Sequence, residues 1–158
     1  MINSELSTNA IKELIDNKIS FNVHKYQYDK GGTLSVSHKL NIPEYIVIKT
    51  LVFEDDNEIL FLLLMHGNKK VDTKSFAKIL NVNKVKLGEP DMITEKIGYS
   101  IGSISPFGIH KDDIKIYVEE SIMKLEKIFI NGGTKGISIE ISPEDLNILN
   151  PIFVSVVK

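Results

Sequence analysis

The first chemistry that the sequence suggests is nucleophilic. Residues 98–102 read GYSIG and match the G-x-S-x-G pattern of serine hydrolases. In those enzymes the central serine, here Ser100, lies on a sharp turn between a buried strand and a helix. The preceding residues, MITEKI, are polar and weakly helical, and Pro106 keeps Ser105 from starting a helix. The context therefore argues against a serine esterase that uses Ser100.

The second half of this stretch, Gly102 to Pro106, allows two interpretations. Glycine and proline are typical of tight turns, so a purely structural turn would explain them. The same residues can instead fix a loop whose backbone N–H groups face a ligand and stabilise a carbonyl or anionic oxygen. The residues alone leave both interpretations open.

A lysine lies inside the apolar run IVIKTLVF. Strand alternation places Lys49 on one face with Val47 and Leu51, and Thr50 on the other. Both faces are apolar enough to be buried, and an unpaired buried ammonium is costly. Lys49 must therefore extend to the surface, pair with a carboxylate, or line a cavity that receives an anion.

The sequence offers little for metal or redox chemistry. It contains no cysteine, which excludes disulfides, thiolate ligands and a cysteine nucleophile. It also contains no arginine, which excludes bidentate guanidinium contacts. The histidines do not have the spacing of a zinc motif, so we expect no metal and no cofactor at any of them: His24, His38, His66 and His110.

Size and charge set broader limits. A chain of 158 residues, 42% apolar, predicts a single domain over residues 1–158. The net charge of -2 gives no overall attraction for nucleic acid and does not identify a partner. The start has no signal pattern, and the longest apolar run, Ile59 to Met65, is far short of the roughly 20 residues of a membrane helix. We expect a soluble, cytoplasmic protein without membrane association.

Hydrophobic periodicity predicts an α+β fold. Two apolar runs, 46–54 and 59–65, are joined by a polar turn and should pair antiparallel. Further strands are predicted at 20–28, 114–120, 127–131 and 136–141. Helices are predicted at 8–18, 33–40, 73–80 and 91–96, and from Ser142 onward, with Asp72 as the N-cap of the helix 73–80. The order favours a mixed, mostly antiparallel sheet flanked by short helices.

Four motifs gain meaning when they are taken together. They are Lys49-Thr50-Leu51, the G-Y-x-x-G-x-x-S-P-x-G run from Gly98 to Gly108, the I-F-I-N-G-G-x-K-G run from Ile128 to Gly136, and Ile139-Glu140-Ile141. In this order they resemble the bacterial prolyl-tRNA editing family, which contains free-standing aminoacyl-tRNA deacylases and an insertion in prolyl-tRNA synthetases. The resemblance covers Ala10 to Leu149.

The resemblance implies a partly barrel-like sheet with a small amino-acid pocket. It implies hydrolysis in trans of the ester that joins a wrong amino acid, typically Cys or Ala, to tRNA(Pro), without metal, cofactor or covalent intermediate. The implied partner is the mischarged tRNA acceptor end, with prolyl-tRNA synthetase as an optional second partner. The alternative is a hydrolytically inactive module that binds charged tRNA ends or a synthetase.

The resemblance also implies site residues. Lys49 and Gly102 correspond to catalytic positions, the lysine holding the tRNA end and the glycine loop holding the substrate. The substrate-binding positions implied are Tyr26, Thr50, Ser103, Ile104, Ser105, Pro106, Asn131 and Gly132. Tyr26 is equally explained as a residue of a half-buried strand.

Two of these positions depart from the family's usual pattern. Ser103 stands where a second glycine is usual, and it is expected to narrow the pocket or perturb the loop. Asn131 stands where many members have serine, which changes hydrogen-bonding reach. Ser103 bears on substrate preference, and Asn131 indicates either a changed specificity or a member of altered activity.

Overall fold

The computed structural model describes residues 7–109 and 113–158. Within them the helices are α1 (Asn9–Asp16), α2 (Gly32–Leu40), α3 (Thr73–Leu80) and α4 (Pro90–Ile97). The strands are β1 (Asn22–Lys25), β2 (Ile48–Asp55), β3 (Leu60–His66), β4 (Val85–Leu87), β5 (Ile116–Glu119), β6 (Ile128–Asn131), β7 (Ile137–Ile141) and β8 (Ile152–Val154). Short 3-10 helices span Glu44–Ile46, Glu120–Lys124 and Pro143–Leu149. No helix among the described residues is long and apolar enough to cross a membrane.

Capping residues set the helix starts. The Thr8 hydroxyl accepts a hydrogen bond from the Ile11 N–H ahead of α1, and the Asp72 carboxylate accepts one from the Ser75 N–H ahead of α3. Asp72 was predicted from its position before an apolar periodic run, and the structure confirms it.

The strands form two sheets in the described part of the chain. One has the order β4-β2-β3-β5-β8 and the other β1-β7-β6. The β3–β5 and β5–β8 pairs are parallel and the other pairs are antiparallel, so the predicted mixed, mostly antiparallel α+β class is confirmed. A parallel bridge between Val47 and Phe129 joins the sheets. Neither sheet closes on itself, so the barrel-like character is limited to this junction.

β3, the middle strand of the larger sheet, is at the centre of the hydrophobic core. Every residue of β3 is buried, because α1, the small sheet and α4 cover one face and α3 covers the other. On the α3 side, Phe61 contacts Phe53, Phe76 and Tyr117 with ring centroids 5.4 to 6.0 Å apart. Since β2 is the antiparallel partner of β3, this packing fixes the strand that carries Lys49 and Thr50.

A buried polar chain ties the end of β3 to the end of β5. His66 Nδ1 donates to the Tyr45 carbonyl at 2.8 Å, and Nε2 lies 2.8 Å from Ser121 Oγ. Ser121 donates to Glu119 from its hydroxyl at 2.5 Å and from its N–H at 3.0 Å. The Val156 N–H donates to the other Glu119 oxygen. Burial acts to raise the pKa of Glu119, but these hydrogen bonds and His66 outweigh it and hold that pKa below its ordinary value.

We expect Glu119→Gln to lower the free energy of unfolding by about 1–3 kcal/mol near neutral pH. A glutamine amide has one accepting oxygen, so it cannot accept hydrogen bonds from both Ser121 and Val156 as the carboxylate does. A lowered pKa in the folded state means that the ionised carboxylate stabilises the fold above the ordinary glutamate pKa. That stabilisation disappears as the pH falls through the folded-state pKa. Urea unfolding should therefore show a difference from wild type that shrinks in acid. The exposed neighbour Glu120→Gln is the control, and an equal loss there would contradict the prediction.

Candidate functional site

A cavity of about 720 Å³ opens where the two sheets meet. Residues 48–52 of β2 form one wall, and the adjoining ends of β6 and β7 form another. The loop that contains Gly102, the segment between β1 and α2, and the start of α4 complete it. Six of the predicted site residues line this cavity: Tyr26, Lys49, Thr50, Gly102, Ile104 and Asn131.

Lys49 lines the cavity and also reaches the surface, which are two of the three environments that the sequence allowed. Its Nζ donates to the carbonyl of Lys69 at 2.7 Å and to that of Gly67 at 3.3 Å. Burial lowers the pKa of this ammonium from its ordinary value, and the charge of Glu44 opposes the shift. Within the described residues no carboxylate forms an ion pair with Lys49. The ammonium is therefore oriented by carbonyls while its charge remains available to an anion in the cavity.

Gly102 occupies a position that only glycine fits. Its φ is +92°, and a Cβ would lie 2.6 Å from the Tyr28 hydroxyl oxygen. The Gly102 carbonyl accepts a hydrogen bond from Asn131 Nδ2 at 3.0 Å, and Asn131 Oδ1 accepts one from the Gly133 N–H at 2.8 Å. Asn131 therefore uses both ends of its amide to fix the orientation of the glycine loop.

The remaining loop residues do not line the cavity. The Ser103 N–H and hydroxyl both donate to the Ser100 carbonyl, at 3.0 and 2.9 Å. Ser103 is thus turned away from the space that it was expected to narrow. Ser105 is fully buried and its hydroxyl accepts from the Phe107 N–H, while Pro106 and Gly132 are also buried behind the cavity wall. The four residues support the loop from behind.

Two residues of the loop line the cavity and leave their backbone N–H groups without a protein partner among the described residues. They are Gly102 and Ile104, and neither N–H donates a hydrogen bond within that part of the chain. An N–H without a partner beside a cavity is suited to a ligand oxygen. The ligand-facing interpretation of the loop therefore has a structural basis in these two groups.

Residues outside the predicted set brace this loop. The Thr8 hydroxyl donates to the Gly132 carbonyl at 2.6 Å, and the Glu13 carboxylate accepts from the Gly108 N–H. The Tyr99 hydroxyl donates to the Phe107 carbonyl, and burial raises the pKa of Tyr99 to about 12. The sequence analysis placed Thr8 at the start of the predicted helix 8–18 and did not anticipate either of its hydrogen bonds.

The cavity lining is positively charged. Lys30, Lys49 and Lys135 line it, and Lys135 Nζ lies 5.0 Å from the centre of the Tyr28 ring. Asp29 is the only carboxylate among the described lining residues. Hydrogen bonds from Lys39, the Gly31 N–H and Ser35 lower the pKa of Asp29 to about 2. The excess of lysine favours an anion such as a phosphate.

Tyr26 and Thr50 are lining residues whose polar groups are uncharged hydroxyls. Tyr26 is half-buried, and burial raises the pKa of its phenol, so the hydroxyl is protonated and can donate. The Thr50 hydroxyl is buried and has no hydrogen-bond partner among the described residues. Neither is part of a metal site, because the described residues contain no cluster of three or more histidine or carboxylate side chains that could hold a metal ion.

The serine of the GYSIG stretch lies outside this cavity. α4, not a strand, precedes it, and no helix follows within the described residues up to 109. Ser100 Oγ lies 2.9 Å from Ser103 Oγ. His110, the only histidine after Ser100 in the sequence, lies outside the described residues.

We expect Asn131→Asp to weaken the site, because a carboxylate cannot donate to the Gly102 carbonyl and would instead repel it. The loss of this bond should lower kcat/KM of the reaction proposed below about ten-fold with little change in thermal stability. Asn147→Asp, in the last 3-10 helix, is the control for charge. Unchanged kinetics in Asn131→Asp would show that the loop holds its shape without this bond.

Comparison with known proteins gives a consistent picture. The family described as the aminoacyl-tRNA editing domain matches residues 33–149. A protein of Enterococcus faecalis, provisionally named Cys-tRNA(Pro)/Cys-tRNA(Cys) deacylase EbsC, is 26% identical over 143 residues, which cover 89% of this chain and 87% of that protein. A proline–tRNA ligase of Lactococcus lactis is 26% identical over 101 residues, 64% of this chain but only 16% of the ligase.

Solved structures agree on the fold. A protein described provisionally as a trans-editing enzyme for prolyl-tRNA synthetase superposes with a TM-score of 0.85. The match covers 100% of this chain and 99% of that chain at 15% identity. At that identity the likeness establishes the architecture alone.

Proposed function

The chain belongs to the aminoacyl-tRNA editing domain family, and we propose that it hydrolyses the ester bond of mischarged aminoacyl-tRNA in the cavity at the sheet junction. The observation that carries the proposal is that Lys49, Gly102 and Ile104 line one cavity, and that the N–H groups of Gly102 and Ile104 have no partner among residues 7–109 and 113–158. Its volume falls in the range of about 300–1,000 Å³ of small-molecule sites.

Each group has a distinct part in the proposed reaction. The ammonium of Lys49 binds a phosphate or ribose oxygen of the terminal nucleotide and so places the ester in the cavity. The N–H groups of Gly102 and Ile104 donate to the ester carbonyl oxygen, where negative charge develops in the transition state. Water adds to the carbonyl carbon, the bond to the ribose oxygen breaks, and a free amino acid and an uncharged tRNA leave.

The lining supplies no evident protein base for this step. Asp29, the only lining carboxylate in the described ranges, has a pKa of about 2 and is bound to Lys39. A carboxylate so weakly basic is a poor proton acceptor near neutral pH. We therefore infer that the neighbouring 2'-hydroxyl of the tRNA orients and activates the water, and that the protein contributes position and electrostatics.

The amino acid is inferred from the relative and from the cavity walls. The E. faecalis protein is named for Cys-tRNA(Pro) and Cys-tRNA(Cys), and we propose Cys-tRNA(Pro), with Ala-tRNA(Pro) as the next candidate. The walls near the loop are apolar, with Val52, Ile93 and Ile104, which favours a small apolar side chain.

The proposal also includes a protein partner and a cellular location. The match to a segment of proline–tRNA ligase supports prolyl-tRNA synthetase as an optional partner that delivers the tRNA. A substrate of this kind places the protein in the cytoplasm, and residues 1–158 act as one editing domain.

The decisive experiment measures deacylation of Cys-tRNA(Pro), Ala-tRNA(Pro) and Pro-tRNA(Pro) by the purified protein with a chelator present. We expect chelator-resistant hydrolysis of Cys-tRNA(Pro) or Ala-tRNA(Pro) and sparing of Pro-tRNA(Pro). Ser100→Ala should retain this activity, since Ser100 lies outside the cavity. Failure to hydrolyse any of the three would overturn the assignment, and binding of Cys-tRNA(Pro) without hydrolysis would favour the inactive binding module.

A further inference from the structure

The edge of β2 that faces the cavity has a gap in its strand pairing. β4 pairs with β2 only from Phe53 to Asp55, and β6 contacts this edge through the bridge at Val47. Among the described strands none is assigned as a partner of residues 48–52 on this side, and all five line the cavity. The gap spans five residues and is bounded at both ends, by β4 and by the bridge at Val47, which suits a small ligand.

One hydrogen bond shows which backbone groups face the gap. The Gly88 N–H donates to the Val52 carbonyl at 2.9 Å, so the backbone of Val52 faces this edge. In antiparallel pairing the N–H and C=O of a residue point to the same side, and alternate residues share that side. Thr50 therefore presents its N–H and C=O to the cavity, and the Val52 N–H points the same way.

A side chain adds to this pattern. The Thr50 hydroxyl is buried and has no partner in the described part of the chain. A buried hydroxyl without a partner is uncommon and costs free energy unless a ligand or water completes it. Thr50 thus offers a carbonyl and an N–H at the centre of the gap, and its own hydroxyl has no partner within the described residues.

The apolar walls beside the gap favour a neutral, flat ligand group at this place, while the lysines elsewhere in the cavity favour an anion. The lysines that line the cavity disfavour an ammonium, and Asp29 is already bound to Lys39. Next to the gap the walls are apolar, formed by Leu87, Ile93 and Ile104. A neutral aromatic ring can pack against such walls and direct a polar edge to the β2 backbone.

We propose that the gap in β2 is a base-reading subsite for a nucleobase that carries an amino group beside an unprotonated ring nitrogen. The amino group donates to the Thr50 carbonyl, and the ring nitrogen accepts from the Val52 N–H. Adenine and cytosine present this edge, whereas hypoxanthine and uracil present a carbonyl and a ring N–H. The inference rests on the proposed function in one respect, since the 3' end of the tRNA would supply the base.

The test is equilibrium binding of free nucleosides, followed by amide chemical shifts of the ¹⁵N-labelled protein. We expect adenosine to bind about ten-fold more tightly than inosine, the difference that one matched pair of hydrogen bonds gives. The amide signals of Thr50 and Val52 should shift with adenosine. Cytidine against uridine tests the same edge on a smaller ring and shows which base the subsite prefers.

Equal affinity for adenosine and inosine, or adenosine binding that leaves the Thr50 and Val52 signals unmoved, would overturn the inference. Thr50→Val keeps the backbone edge and the side-chain shape, so adenosine should still bind it more tightly than inosine. Loss of that preference in Thr50→Val would also contradict the assignment to the backbone.

This result is separable from the proposed function. Deacylation of Cys-tRNA(Pro) can be measured with adenosine or inosine as competitor. Hydrolysis inhibited equally by both would sink the base-reading subsite and leave the deacylase intact. Selective adenosine binding by a protein that hydrolyses no mischarged tRNA would uphold the subsite and refute the deacylase.

Discussion

Gly102→Ala is expected to lower kcat/KM for Cys-tRNA(Pro) about 100-fold, because misplacing reacting groups by about an ångström has an effect of that order. The new methyl group would lie 2.6 Å from the Tyr28 hydroxyl oxygen, so the loop or the tyrosine must move. Either movement shifts the Gly102 N–H, which we propose donates to the substrate carbonyl. Steady-state deacylation kinetics give the measurement.

Gly98 provides a matched control for this variant. Its φ of +89° is nearly that of Gly102, but a Cβ there would meet no atom within 4 Å. Gly98→Ala should therefore carry the same backbone strain, about 1–2 kcal/mol, and keep its activity. Adding Tyr28→Phe to Gly102→Ala removes the nearest colliding atom and should restore part of the rate. Equal losses in Gly98→Ala and Gly102→Ala would mean that strain alone, and not the collision, lowers the rate.

Lys49→Met is expected to lower kcat/KM about ten- to 100-fold, the range of a hydrogen bond to a charged group. Methionine keeps much of the apolar stem and removes the ammonium, so the fold should lose little stability. Because burial lowers the pKa of Lys49, its charge disappears at a lower pH than that of a surface lysine. The difference between wild type and Lys49→Met should therefore narrow as the pH becomes alkaline.

Lys70→Met is the charge-matched control, since Lys70 is exposed, lies on the same turn as the carbonyl that holds Lys49, and does not line the cavity. The Lys49→Arg variant tests whether any positive charge at this position is sufficient. A guanidinium cannot reproduce the compact contact with the carbonyls of Gly67 and Lys69, so we expect only partial activity. Full activity in Lys49→Met would remove Lys49 from the proposed mechanism.

The sequence predicted the elements whose signals are local. The hairpin of β2 and β3 followed from two long apolar runs joined by Asp55-Asp56-Asn57-Glu58, and the structure confirms the pairing. The helix after Asp72 followed from its cap. β8 was not predicted, because Ile152 and Phe153 follow a proline in a run of three residues and are largely exposed.

The candidate site was predictable only in part, because some of its features depend on turn geometry and on contacts between residues far apart in the sequence. Lys49 could be singled out because a lysine in an apolar strand is unusual, whereas Thr50 was predicted only from the family resemblance. The orientation of Ser103 could not, because it depends on hydrogen bonds within a turn whose geometry the residue types do not specify. The brace from Thr8 and Glu13 joins residues 124 and 95 positions apart, and no pattern along the chain reveals such contacts.

The hydrogen bonds from Thr8 and to Glu13 determine where the editing domain must begin if it is transplanted into another protein. The family match begins at residue 33, but α1 and the residues around it hold the carbonyl of Gly132 and the N–H of Gly108 on either side of the loop. A graft that starts at the family boundary would carry Lys49, Gly102 and Asn131 but would lack the hydrogen bonds that Thr8 and Glu13 make to Gly132 and Gly108. A transferable unit must therefore begin ahead of Thr8.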